Sequence, residues 1–81
     1  MKATVHVKLK RDVLDPQGKA IQRACAALGY DAVRDIRQDK LFEVELDAHD
    51  ETAARALLDE LCQKLLANPV IEDYRVVAVE A

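Results

Sequence analysis

The side chains that could do chemistry in this sequence are few and widely separated. Cys25 and Cys62 are 37 positions apart, without the Cys-x-x-Cys spacing of a zinc or redox site. A nucleophilic thiol needs a partly open, electropositive setting to ionise. The neighbours of Cys25 are alanines and those of Cys62 are leucine and glutamine, so both thiols read as core. His6 and His49 fall on different elements, and neither has a second His or a Cys at ligand spacing, whereas zinc asks for three or four convergent ligands. The acids occupy expected helix starts (Asp12, Asp15, Asp50, Glu51), where they complement the helix dipole, or solvent faces (Glu43, Glu45, Asp59, Glu60). Gly18 stands alone, with no glycine-rich phosphate loop and no P-loop lysine. The residues therefore assign no catalytic, cofactor-binding or metal position. Lys8, Lys10, Arg11, Arg37 and Lys40 are the main basic positions. They read as a solvated face or as contacts to an acidic partner.

The elements that must carry these residues are legible in the hydrophobic pattern. Residues 3–10 alternate, with Ala3, Val5, Val7 and Leu9 opposite Thr4, His6, Lys8 and Lys10, which predicts a half-buried strand. Asp15 is a good N-cap because its carboxylate can accept from free amides of the first turn. Pro16 fits the first helical position, where its missing N–H costs nothing. Ile21, Ala24, Cys25 and Leu28 follow at helical spacing, and Gly29 supplies the left-handed stop. Residues 31–37 are expected to form a second strand, although Val33 and Ile36 break the period of two. Gln38-Asp39 is expected as a tight turn into a third strand over 40–46, where Phe42, Val44 and Leu46 oppose Glu43 and Glu45. Asp50 caps the second helix, whose double row is Ala54, Leu57, Leu58, Leu61, Cys62, Leu65 and Leu66. Asn68-Pro69 ends it, and residues 73–80 make the last strand.

Composition bounds the class. The chain has 81 residues, 51% of them apolar, and 13 of those are alanines, so one small domain with a thin core is expected over residues 1–81. A folded monomer of this size exposes about 4,900 Å², and chains this small often gain stability by oligomerising. The net charge of −3 lacks the basic surplus of a nucleic-acid binder. No apolar run approaches the ~18 residues of a membrane span. The thiols suit the reducing cytosol, so a cytoplasmic setting is expected.

The predicted order is β-α-β-β-α-β. It implies a ferredoxin-like α+β two-layer sandwich, with a four-stranded antiparallel sheet and both helices on one face. The last strand carries Tyr74, Val76 and Ala78 on one face and Val77 and Val79 on the other. An edge strand that is apolar on both faces and has little charge should be covered by another chain. Dimerisation through the sheet and last strand is therefore expected, with Tyr74, Val77 and Val79 as contacts.

Val5-His6-Val7-Lys8-Leu9-Lys10 leading into Val13-Leu14-Asp15-Pro16-Gln17-Gly18-Lys19-Ala20 resembles the signature of the PurS family, the small subunit of phosphoribosylformylglycinamidine synthase. Leu28-Gly29-Tyr30, Ile36-Arg37, Lys40-Leu41-Phe42-Glu43 and Leu65 to Tyr74 are also similar to that family, so the resemblance spans nearly the whole chain. One departure is Asp39, which stands where the family's hairpin usually carries glycine. Aspartate tolerates the left-handed conformation better than most residues.

The resemblance implies a non-catalytic subunit of a ligase complex in de novo purine synthesis. In such a complex a glutaminase subunit releases ammonia from glutamine. A large synthetase subunit uses ATP and Mg to join that ammonia to formylglycinamide ribonucleotide. The small subunit, a homodimer or tetramer, bridges the two and supports ammonia transfer. It would bind no cofactor, nucleic acid or membrane itself. Gln17, Gly18 and Lys19, held at a rigid corner by Asp15 and Pro16, are candidate partner contacts, as are Arg37 and Lys40. The alternative from fold alone is a stand-alone regulatory domain that binds a small ligand at a dimer interface.

Overall fold

The structure, a computed structural model, describes residues 1–80. Its elements are β1 (Lys2–Leu9), α1 (Pro16–Ala27), β2 (Lys40–Glu45), α2 (Glu51–Leu61) and β3 (Glu72–Glu80). A π-helical turn, Cys62–Leu66, extends α2. The sheet is antiparallel and three-stranded, in the order β2-β1-β3. β1 is central, running from Lys2↔Glu45 to Val7↔Lys40 on one side and from Lys2↔Glu80 to Leu9↔Glu72 on the other. The connection from β2 through α2 to β3 passes over β1, as in the expected sandwich.

The four-stranded expectation is corrected at its outermost strand. Residues 31–37 form no strand, and Gln38-Asp39 is not a hairpin turn. Val33 and Ile36 are interleaved with Asp31, Arg34 and Asp35, so no alternating face exists to lay against a sheet. Asp39 does not adopt the left-handed conformation either, since among the described residues only Gly29 has positive φ, at 91°. The segment instead begins in a turn and continues as an irregular connector from α1 to β2.

The two-helix layer is corrected with it. α2 packs on the sheet: Ala3, Val5 and Val7 meet Leu58, Cys62 and Ala67 in one buried cluster, flanked by Phe42, Val44, Leu66, Tyr74 and Val76. Leu58 is fully buried, a burial worth about 1.5–3 kcal/mol. α1 buries only Gly18. Without an outer strand the sheet has no surface on which α1 could lie, so Leu14, Ile21 and Leu28 remain exposed. The radius of gyration is 16.1 Å, against about 12 Å for a compact chain of this length. The molecule is a sheet with one helix on it and a second helix held off as an arm.

Local signals act as the sequence predicts. Asp15 accepts from the Gln17 and Gly18 amides, and Asp50 accepts from Ala53. Gly29 N–H donates to Ala26 O and Tyr30 N–H to Cys25 O, the paired bonds of a Schellman stop. β3 differs from its expected pattern through a bulge. Thr4 pairs with Ala78 and Val5 with Val76, which leaves Val77 unpaired and shifts the phase. Val79 thereby joins Tyr74 and Val76 against the core, and Val77 stays exposed.

Candidate functional site

The loop from β1 into α1 ends at Asp15, the one buried charged side chain among the described residues. Oδ1 accepts from the amides of Gln17 at 3.1 Å and Gly18 at 3.0 Å, and Oδ2 accepts from the Gln38 amide at 2.6 Å. One carboxylate thus caps α1 and ties its first turn to the connector. These donors hold the carboxyl below the ordinary carboxylate range, the Gln38 amide first and Gly18 next. Burial opposes them, and Gln17 and the Arg37 charge add to the lowering.

Gly18 is needed at the same corner for space. A Cβ there would stand 2.1 Å from the Ile36 carbonyl oxygen. Arg37 closes the corner from outside, with its Nη2 donating to Lys10 O at 3.1 Å and Val13 O at 2.8 Å.

Around this corner the structure gathers all seven candidate partner contacts. Asp15, Pro16, Gln17 and Lys40 line an open groove of about 460 Å³ with Asn68 and Glu72. Lys19 and Arg37 line a smaller depression beside Asp15, and Gly18 lies buried between the two. Asp15, Gly18 and Arg37 are engaged within the chain, whereas Gln17 and Lys19 are exposed. Lys40 Nζ lies 3.5 Å from Glu72, and Glu72 also accepts from the Asn68 amide at 2.7 Å.

Sequence reasoning missed Gln38, Asn68 and Glu72 as groove residues. Asn68 read only as a helix stop, and nothing local marks Glu72, because the groove is made by the turn that carries β3 back to β1. Of the expected oligomer contacts, Val77 is exposed, while Tyr74 and Val79 lean on the chain's own core.

The remaining reactive groups do not converge. Cys62 is fully buried; burial, with the nearby Asp59 charge, pushes its thiol up, away from thiolate. The Tyr74 hydroxyl donates to Asp59 and is also approached by Gln63 Nε2 at 3.3 Å. The Asp59 bond pushes its ionisation above the ordinary tyrosine value, Gln63 opposes this, and burial adds to the rise. His6 Nε2 lies 2.8 Å from Asp39 Oδ2. Among the described residues, no three His, Cys, Asp or Glu side chains are grouped to hold a metal, and no helix is long and apolar enough to cross a membrane.

An exposed corner, an uncovered helix and a sheet with two free edges define an α+β interaction domain. Its relatives agree in sequence and in fold. Residues 2–80 match the family model described as PurS, phosphoribosylformylglycinamidine (FGAM) synthase, and the chain belongs to this PurS family. It is 47% identical over 74 residues to the phosphoribosylformylglycinamidine synthase subunit PurS of Bacillus subtilis, covering 91% of this chain and 87% of that one. It is 43% identical over 75 residues to the subunit of the same name from Methanocaldococcus jannaschii, covering 93% and 90%. The crystal structure of B. subtilis PurS superposes with a TM-score of 0.86 at 46% identity, over 98% of each chain. A chain of PurLQS from Thermotoga maritima superposes with a TM-score of 0.79 at 28% identity, over 94% of this chain and 95% of that one.

Proposed function

We propose that this chain is the non-catalytic small subunit of a phosphoribosylformylglycinamidine synthase complex in purine biosynthesis. In this reading it works as a homodimer that bridges the glutaminase and large synthetase subunits and supports ammonia transfer from glutamine to formylglycinamide ribonucleotide. ATP, Mg and glutamine are used by the partner subunits, and this chain holds no cofactor. A cytoplasmic setting accords with its two free thiols.

The observation that carries the reading is surface without cover. The chain exposes 6080 Å², about 1,200 Å² more than a compact monomer of its mass. A standard interface buries about 800 Å² per partner, so the excess is more than one such interface would cover. One apolar part of it lies on α1 and in the turns beside it, where Leu14 is 67% exposed and Leu28 is 75% exposed, and another where α2 gives way to β3, at Leu65 and Val70. Val77 and the free edge of β3 supply a smaller contribution. The relative in PurLQS is by name part of an assembly of this kind.

The deciding experiment mixes this chain with purified glutaminase and large subunits. Glutamine-dependent and ammonia-dependent synthesis are then compared with and without it. Glutamine-dependent turnover is expected to need the chain and ammonia-dependent turnover to need it less. Equal glutamine-dependent turnover without the chain would overturn the proposal.

A further inference from the structure

The charge of this chain is unevenly placed. Where β1 ends, the face of the sheet opposite α2 carries two adjoining depressions that share Lys8 and Asp73. One, of about 190 Å³, is completed by His6, Tyr74 and Arg75. The other, of about 370 Å³, is completed by Leu9, Arg11, Arg37 and Asp39. Lys10 reaches the same place, with its Nζ 3.9 Å from Asp73 Oδ1. Five cations thus face two carboxylates, a local charge of +3 in a chain whose total is −3, and the remainder carries −6.

We propose that this basic rim, carried by Lys8, Arg11, Arg37 and Arg75, is the surface on which an acidic face of a partner subunit docks. The inference rests on the reading of the chain as a subunit of the synthase and adds to it where, and by what chemistry, a partner is held.

Three features favour a protein surface as the occupant. The cations are spread over two shallow depressions instead of converging on one point, as a phosphate would require. Asp39 and Asp73 are interleaved among them, which repels a compact polyanion but suits a protein face of mixed, net negative charge. Arg37 is already fixed by the carbonyls of Lys10 and Val13, so less side-chain freedom is lost when a carboxylate arrives. Surfaces of opposite sign raise encounter rates and fix orientation, and their effect falls with ionic strength.

The test measures association of the full-length chain with the purified glutaminase and large subunits, each over a series of salt concentrations. The variants are Lys8→Glu with Arg11→Glu, and Lys64→Glu on the π-helical turn that follows α2 as a control for reversing charge elsewhere. Circular dichroism checks that each is folded. The double reversal is expected to weaken binding to one subunit by at least about tenfold and to flatten its salt dependence. Lys64→Glu should stay within about twofold of the parent chain, as should Lys8→Arg, which keeps the charge. Parental binding by the double variant, or equal weakening by Lys64→Glu, would overturn the rim while leaving the complex reading intact. Failure of the parent chain to bind either subunit at any salt concentration would overturn both.

Discussion

The Asp15 carboxylate accepts the Gln38 amide at 2.6 Å, a bond that joins the first turn of α1 to the segment entering β2 across 23 residues of chain. The same carboxylate caps the helix, so one side chain sets both the direction of the arm and the path of the connector. The low ionisation of its carboxyl gives the arrangement a pH dependence. A carboxyl lowered in the folded state stabilises the fold above its ordinary range, and that contribution is lost as pH falls through the folded value. Asp15→Asn is expected to melt several degrees below the parent chain at neutral pH, with the gap closing below about pH 4. Far-UV circular dichroism melts across a pH series measure it. A gap that does not change with pH would assign the loss to shape instead of charge.

Replacing Gly18 by alanine should reverse the usual sign of such a change. In an open helix alanine gains about 1 kcal/mol over glycine. Here its Cβ would stand 2.1 Å from Ile36 O and 2.8 Å from Asp15 Oδ2. The backbone carbonyl cannot swing aside as a long side chain could, so Gly18→Ala is expected to cost about 1–3 kcal/mol. Urea titration followed at the helical signal would show this as a lower midpoint.

The uncovered face of α1 predicts how the proposed dimer responds to charge. Ile21 is 45% exposed and Leu28 is 75% exposed, so lysine at both positions should change the stability of the single chain by less than about 0.5 kcal/mol. In an assembly the same lysines would be buried without partners. Light scattering is expected to give the dimer mass for the parent chain and the monomer mass for Ile21→Lys with Leu28→Lys. A variant that remains dimeric would move the interface to the β3 edge.

Tyr74 offers a spectroscopic reading of the contact between α2 and β3. Its hydroxyl donates to Asp59, which keeps the proton on the phenol as pH rises. In a Tyr30→Phe background, ultraviolet titration reports Tyr74 alone, because the chain has two tyrosines and no tryptophan. Asp59→Asn is expected to bring ionisation to lower pH. The bond's contribution to stability is present below the ordinary tyrosine range and is lost as pH rises through the folded value.

What could be read in the sequence was what neighbours in sequence decide. The caps at Asp15 and Asp50, the stop at Gly29 and the alternation of β1 depend on contacts within a few residues, and all appear where expected. The expectation of a strand over residues 31–37 fails because Val33 and Ile36 stand three apart, and the acids around them leave no face to bury. The misplacement of α1 followed from that error, since its apolar spacing is the same whether the face is buried within its own chain or left for another. The bulge at Val77 is hidden by four adjacent apolar residues, Val76 to Val79, which suit either phase. The corner is half legible: Asp15 and Pro16 mark a helix start that holds Gln17 outward, but the amide of Gln38 meets Asp15 only after the connector has folded back.

Because α1 leans on the rest of the chain mainly through that corner, it can open while the sheet stays intact. Segments with few buried contacts exchange their amide hydrogens through local opening, well below the free energy of global unfolding. In the single chain, amides of α1 would then exchange sooner than those of β1, which is paired on both sides. Heating would melt the arm before the three strands, and a single transition temperature would describe the sheet and α2 but not the whole molecule.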